Sequence, residues 1–136
     1  MWVGPVRVLL DTHVALWAIV ADLRLTRSAQ DLIADPENAI FVSAASVWEI
    51  AIKHSLARGL PGDMPISGAE AFGFFQQAGY EVLAITADHA AAVEALPPLH
   101  RDPFDRILVA QALVEPLRLM THDPMVKAYN DTVILV

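Results

Sequence analysis

Short apolar runs that stop at a helix-capping residue recur along this chain, and that alternation restricts the folds open to it. Arg7-Val8-Leu9-Leu10 ends at Asp11, and from Thr12 the chain reads as a helix starting at once. Ala39-Ile40-Phe41-Val42 runs into Ser43, which caps a helix predicted to reach about Arg58, with Gly59 as its stop. Glu81 to Ile85 leads to Thr86 and a helix to Ala95, while Leu117-Arg118-Leu119-Met120 leads through Thr121-His122 to Asp123 and a helical turn at Pro124. Runs this short and apolar suit buried strands. Two more helices are predicted, from the Thr26 cap to Ala34 and from Ser67 to Ala78, and Thr132 to Val136 closes as a strand. Strands alternating with helices predict an α/β fold, a mostly parallel central sheet between two helical layers. In such open sheets the carboxyl-terminal edge is where ligands bind.

The chain of 136 residues suits one domain spanning 1–136. Leu60 to Pro65, with two prolines and a glycine, reads as an internal connection because neither flank makes a core alone. Apolar residues reach 55% and charged ones 18%, more buried surface than one domain needs, which points to a partner or a second copy. No apolar run approaches the roughly 18 residues of a membrane span, and Met1 to Asp11 lacks the pattern of an export signal. The cytoplasm is therefore the default location. Without cysteine, metal ligands are limited to oxygen and imidazole. A net charge of −7 argues against a protein that coats nucleic acid, yet is compatible with a nuclease whose acidic site binds metal.

The most unusual local pattern is His100-Arg101-Asp102-Pro103-Phe104-Asp105-Arg106, running into an almost unbroken apolar helix. Asp105 shares its helix face with Leu108 and Val109. A carboxylate there is costly unless something compensates it. Asp11, Glu49 and Asp123 are its natural company: a parallel sheet brings its carboxyl-terminal edge, and so these elements, to one place. Carboxylate oxygens suit Mg²⁺ or Mn²⁺, and paired ions of this kind clamp the two oxygens of a phosphodiester displacement.

Each acid also has a purely structural explanation. Asp11 and Asp123 suit helix caps, and Glu49 suits an i,i+4 pair with Lys53 worth only ~0.3–0.5 kcal/mol. Asp102 before Pro103 is a strong cap candidate, because proline favours the first helical position. His13, His54, His89, His100 and His122 show no ligand spacing and suit packing or the surface better than a metal. Trp17 and Trp48 suit the core or an interface, with base stacking the alternative.

Leu9-Leu10-Asp11-Thr12-His13, Ser46 to Lys53 (S-V-W-E-I-A-I-K) and His100 to Ala112 (H-R-D-P-F-D-R-I-L-V-A-Q-A) together resemble the PIN domain, most closely toxins of the VapC type from toxin–antitoxin pairs. Leu119 to Asp123 (L-M-T-H-D) matches the family's last acidic motif more loosely. The resemblance implies a three-layer α/β/α PIN-like fold and a Mg²⁺- or Mn²⁺-dependent endoribonuclease acting on single-stranded regions of RNA. It further implies a homodimer, and a hetero-oligomer with a small antitoxin whose C-terminal segment lies over the site. Asp11, Glu49, Asp105 and Asp123 match the catalytic, metal-binding acids, and Asp102 would act behind them. Lys53, Arg101 and Arg106 stand near these acids in sequence and suit RNA phosphates or ion pairs with the acids themselves. The alternative is a PIN-like RNA- or protein-binding module without catalysis, against which the intact acids argue. A dehalogenase-type phosphatase needs D-x-D, where this chain has His13, and the motifs of a receiver domain are absent.

Overall fold

A computed structural model describes residues 4–136; the first three residues of the segment read above for an export signal lie outside the described residues. Five strands, β1 (Arg7–Leu10), β2 (Ala39–Ser43), β3 (Glu81–Leu83), β4 (Arg118–Thr121) and β5 (Ile134–Leu135), form one sheet in the order β3-β2-β1-β4-β5. Every pairing is parallel, with Leu10 opposite Val42 on one side and Met120 on the other. The chain first builds outward from β1 through β2 to β3, then returns to place β4 on the other side of β1. That reversal opens a crevice at the carboxyl ends of β1 and β4, the usual ligand position in such sheets.

The helices are α1 (Thr12–Ile19), α2 (Arg27–Ala34), α3 (Ala44–Ser55), α4 (Gly68–Gln77), α5 (Ala87–Ala92), α6 (Pro103–Val114) and α7 (Pro124–Lys127). Strand alternation divides the core in two. Val8, Leu10, Ile40, Val42 and Met120 face one cluster with Val14, Ile50 and Phe75, whereas Leu9, Phe41 and Leu119 face another with Leu108, Val109 and Ala112. A sheet covered on both faces explains why its strands read as continuous apolar runs rather than alternating ones. No helix among the described residues is long and apolar enough to cross a membrane.

Some boundaries differ from the sequence reading. Helix α3 stops at Ser55, not near Arg58, because the Asp63 carboxylate accepts the backbone N–H groups of Arg58 and Leu60 at 2.8 and 2.7 Å and draws the chain into a loop. Gly59, at φ 79°, serves that loop instead of the helix end. Strand β3 ends at Leu83 instead of Ile85, as its one neighbour, β2, pairs with it only as far as Ser43. After Ala92 the helix from Thr86 tightens to 3₁₀ geometry through Ala95.

Candidate active site

The site is built where strands hand over to helices. Asp11 follows β1 and is the N-cap of α1: its Oδ1 accepts the Val14 N–H at 2.8 Å. Its Oδ2 accepts the Thr121 hydroxyl proton at 2.6 Å, and the Thr121 oxygen in turn receives the Asp123 N–H at 3.1 Å. The end of β4 therefore holds the acid that follows β1. Burial pushes the Asp11 carboxyl above its ordinary range, against the lowering pull of these two hydrogen bonds.

Glu49 projects from α3 and is buried. The Thr12 hydroxyl donates to its Oε1 at 2.7 Å, with Ser46 Oγ 2.9 Å from the same hydroxyl oxygen. Lys53 Nζ meets Oε2 at 2.7 Å. The i,i+4 pair anticipated from sequence is thus present, and it coexists with a buried carboxylate facing the other acids.

Asp105 lies in the first turn of α6, and Asp123 caps α7 with a bond from the Met125 N–H at 2.9 Å. Between them stands His100, its Nε2 at 3.2 Å from Asp105 Oδ2 and 2.9 Å from Asp123 Oδ2. Each of the three offers a potential ligand atom, and these atoms lie within 4.8 Å of one another. The sequence reading of His100 as packing or surface did not anticipate this contact with two of the acids. A search for histidine-to-histidine spacing could not find it, since its partners are carboxylates on two other elements. The usable signal was its place five residues before Asp105. His100 Nδ1 accepts the Asp102 N–H at 3.0 Å, which leaves the ring proton of the neutral form on Nε2, pointing at the two carboxylates.

The Asp105 carboxyl is pushed up to about 7. Burial contributes most, followed by the charges of Asp102 and Asp11, with His100 pulling the other way. At Asp123 slight burial pushes upward, but bonds from His100 and the Met125 N–H outweigh it and hold the carboxyl below its usual range. Hard oxygens from Asp105 and Asp123, with Asp11 and Glu49 alongside, fit a hard divalent cation.

One cavity of about 570 Å³ is lined by Asp11, Glu49, Asp102, Asp105, Asp123 and His100, together with Thr12, His13, Trp17, Arg24, Lys53 and His122. Asp102 caps α6, its Oδ1 accepting the Phe104 N–H at 2.9 Å, with Pro103 in the first turn as expected. Serine can make the same cap. Asp102→Ser should therefore leave the fold intact and most activity in place, while lowering the Asp105 pKa followed by NMR titration; near-total loss of activity would make Asp102 a ligand.

Of the basic residues proposed for phosphates, Lys53 faces Glu49 and Arg101 is exposed. Arg106 is committed elsewhere. Its guanidinium donates to the carbonyls of Pro97, Val93 and His100 and to the Tyr129 hydroxyl, pinning the segment before α6. That is neither a phosphate contact nor an ion pair with the acids. Thr12, Ser46 and Thr121, which hold the acids, went unread, because a lone hydroxyl residue carries no signal until its acceptor is known.

Comparisons with known proteins agree with this fold. The model of the PIN domain matches residues 8–131. Among solved structures, a chain of the VapBC2 complex from Rickettsia felis bound to a promoter DNA fragment is 18% identical, with a TM-score of 0.68 over 96% of this chain and 97% of that one. A chain of a toxin–antitoxin complex from Klebsiella pneumoniae is 25% identical, with a TM-score of 0.54 over 93% and 95%. A chain of the FitAcB complex from Neisseria gonorrhoeae is 19% identical, with a TM-score of 0.57 over 95% and 96%. No curated protein matches the chain.

Proposed function

The chain belongs to the PIN-domain family, and from that premise we propose that it is a VapC-type toxin: a divalent-metal-dependent endoribonuclease that cuts single-stranded RNA and is restrained by a small antitoxin. The observation that carries this reading is the meeting of Asp11, Glu49, Asp105 and Asp123 in one cavity at the β1/β4 crevice. Likeness to chains from toxin–antitoxin complexes supports the biological setting.

Asp105 and Asp123 would hold the cation directly, with Asp11 and Glu49 completing the acidic surround. A Mg²⁺ or Mn²⁺ ion held by these carboxylates would supply positive charge against the phosphate and acidify water. The chain's own part is orientation. Thr121 and the Val14 N–H fix both oxygens of Asp11, so that acid keeps one direction. Thr12 does the same for one oxygen of Glu49, and Lys53 for the other. His100 keeps a proton on Nε2 between Asp105 and Asp123, which holds these carboxylates together in spite of their charge. Such preorganisation removes the cost of arranging charges during reaction.

An apolar groove of about 1060 Å³ adjoins the acidic cavity and shares His13, Trp17, Arg24 and Lys53 with it. It suits an antitoxin segment that covers the site. Exposed Trp48, edge-on to Phe104 at 5.1 Å, supplies an apolar face for a second copy.

Purified protein incubated with labelled single-stranded RNA should cut it internally in Mg²⁺ or Mn²⁺ and stop cutting in excess EDTA. Cleavage that survives EDTA, or no cleavage with either metal, would overturn the reading.

A further inference from the structure

On the rim of the acidic cavity, Arg24 is held over the Trp17 ring in a way the metal chemistry does not require. We propose that Arg24, backed by Trp17, is a stacking plate for an unpaired RNA base beside the scissile phosphate; this rests on the ribonuclease reading above.

The plate is assembled from α1 outward. The helix ends with Ala21 at φ 52°, the Ala21 N–H donating to the Ala18 carbonyl at 3.3 Å and the Asp22 N–H to the Trp17 carbonyl at 2.9 Å. This paired pattern is a Schellman end, in which glycine is the usual left-handed residue. Alanine tolerates that conformation poorly. The chain nonetheless adopts it, and the result is that Asp22 is turned back against Trp17. The Asp22 carboxylate then takes the Arg24 backbone N–H at 2.8 Å, Nε at 3.0 Å and Nη2 at 2.7 Å. The guanidinium carbon comes to lie over the Trp17 ring, 4.9 Å from its centroid. His122 buttresses the same indole in a T-shaped contact at 5.2 Å.

The bidentate pair, with Arg24 exposed and Asp22 half-buried, steadies this turn. It also has a binding logic. With the Nε–Nη2 edge filled by Asp22, Arg24 is a poor clamp for a carboxylate of a protein partner. What remains is the cationic guanidinium face, anchored on one edge by Asp22, and Nη1. Guanidinium planes stack on unpaired bases, and a plane already fixed loses little freedom on doing so. Trp17 and Arg24 line the same cavity as Asp11, Glu49 and Asp105, so a base stacked there belongs to a nucleotide flanking the reacting phosphate. A lysine could replace the charge but not the plane.

The experiment measures binding by fluorescence anisotropy in EDTA, where nothing is cut, using wild type, Arg24→Ala and Arg24→Lys. The probes are a short labelled adenine homo-oligomer of RNA and an abasic oligomer of equal length. Wild type should bind the adenine oligomer about tenfold more tightly than the abasic one, and both variants should lower that ratio severalfold. Circular dichroism confirms that these surface variants are folded. A ratio unchanged in Arg24→Ala, or retained in Arg24→Lys, overturns the stacking plate, as does failure of the wild-type protein to bind RNA. Cleavage in Mg²⁺ is measured alongside: cutting with an unchanged ratio removes only the plate, whereas absence of cutting removes the ribonuclease reading and leaves the ratio to judge Arg24.

Discussion

Asp11→Asn and Asp105→Asn should each reduce Mg²⁺-dependent RNA cleavage on the order of a thousandfold or more while leaving a folded protein. The physical case is strongest for Asp11. Asparagine keeps an oxygen for the Val14 N–H, so the cap of α1 survives, and Thr121 can turn its hydroxyl to accept from the new amide. Removing a buried charge whose protonation is already favoured by desolvation costs the fold nothing and should hold or raise Tm. Cleavage assays and thermal melts on the same preparations separate the two effects. A variant that cuts at the wild-type rate would exclude its acid from the site, and one that fails to fold would show the acid to be mainly structural.

Added Mg²⁺ should raise Tm by several degrees at pH 8 and by much less at pH 6. Asp105 titrates at about 7 in the folded chain, against an ordinary value of 3.8. Between those values the folded state keeps a proton that the unfolded state has lost. Without metal, stability therefore falls as pH rises through the window and is lowest above about 7, where Asp105 stands as an uncompensated anion. A cation reverses that deficit by binding the deprotonated form, and at about a hundred times its dissociation constant it adds about 2.7 kcal/mol, or several degrees. Below pH 7 protons compete with it. Asp105→Asn should flatten both the pH dependence and the Mg²⁺ response; calorimetry from about pH 5 to about pH 8, spanning the upper part of the fall and the plateau above it, checks it. A Mg²⁺ shift equal at both pH values would place the cation elsewhere.

The alternation of apolar runs with capping residues was enough to read the sheet, its parallel sense and the position of Asp11, Asp102 and Asp123 at helix starts, because these depend on local preferences and on period. Asp105 stood out since a carboxylate on an apolar face is costly wherever the chain goes. Resemblance to the PIN domain then grouped Asp11, Glu49, Asp105 and Asp123, and the cavity brings those residues together. Some features were not legible. The end of α3 turned on Asp63 capturing two N–H groups, a contact that competes with helix continuation only once the loop has folded back. Arg106 looked like a phosphate ligand but found carbonyls that only the folded segment before α6 presents.

His100 marks the boundary between the two kinds of information. Residue type and order along the chain established which acids exist, which helices they begin and which sheet edge they share. Whether a histidine would stand between two of those acids depended on three elements arriving within hydrogen-bond reach, with the Asp102 N–H orienting its ring. The same holds for Arg24, an ordinary surface arginine in sequence that becomes a fixed plane through the turn at Ala21 and the ring of Trp17. Local free energy is a property of neighbours in the chain; electrostatic and stacking partners are chosen by neighbours in space.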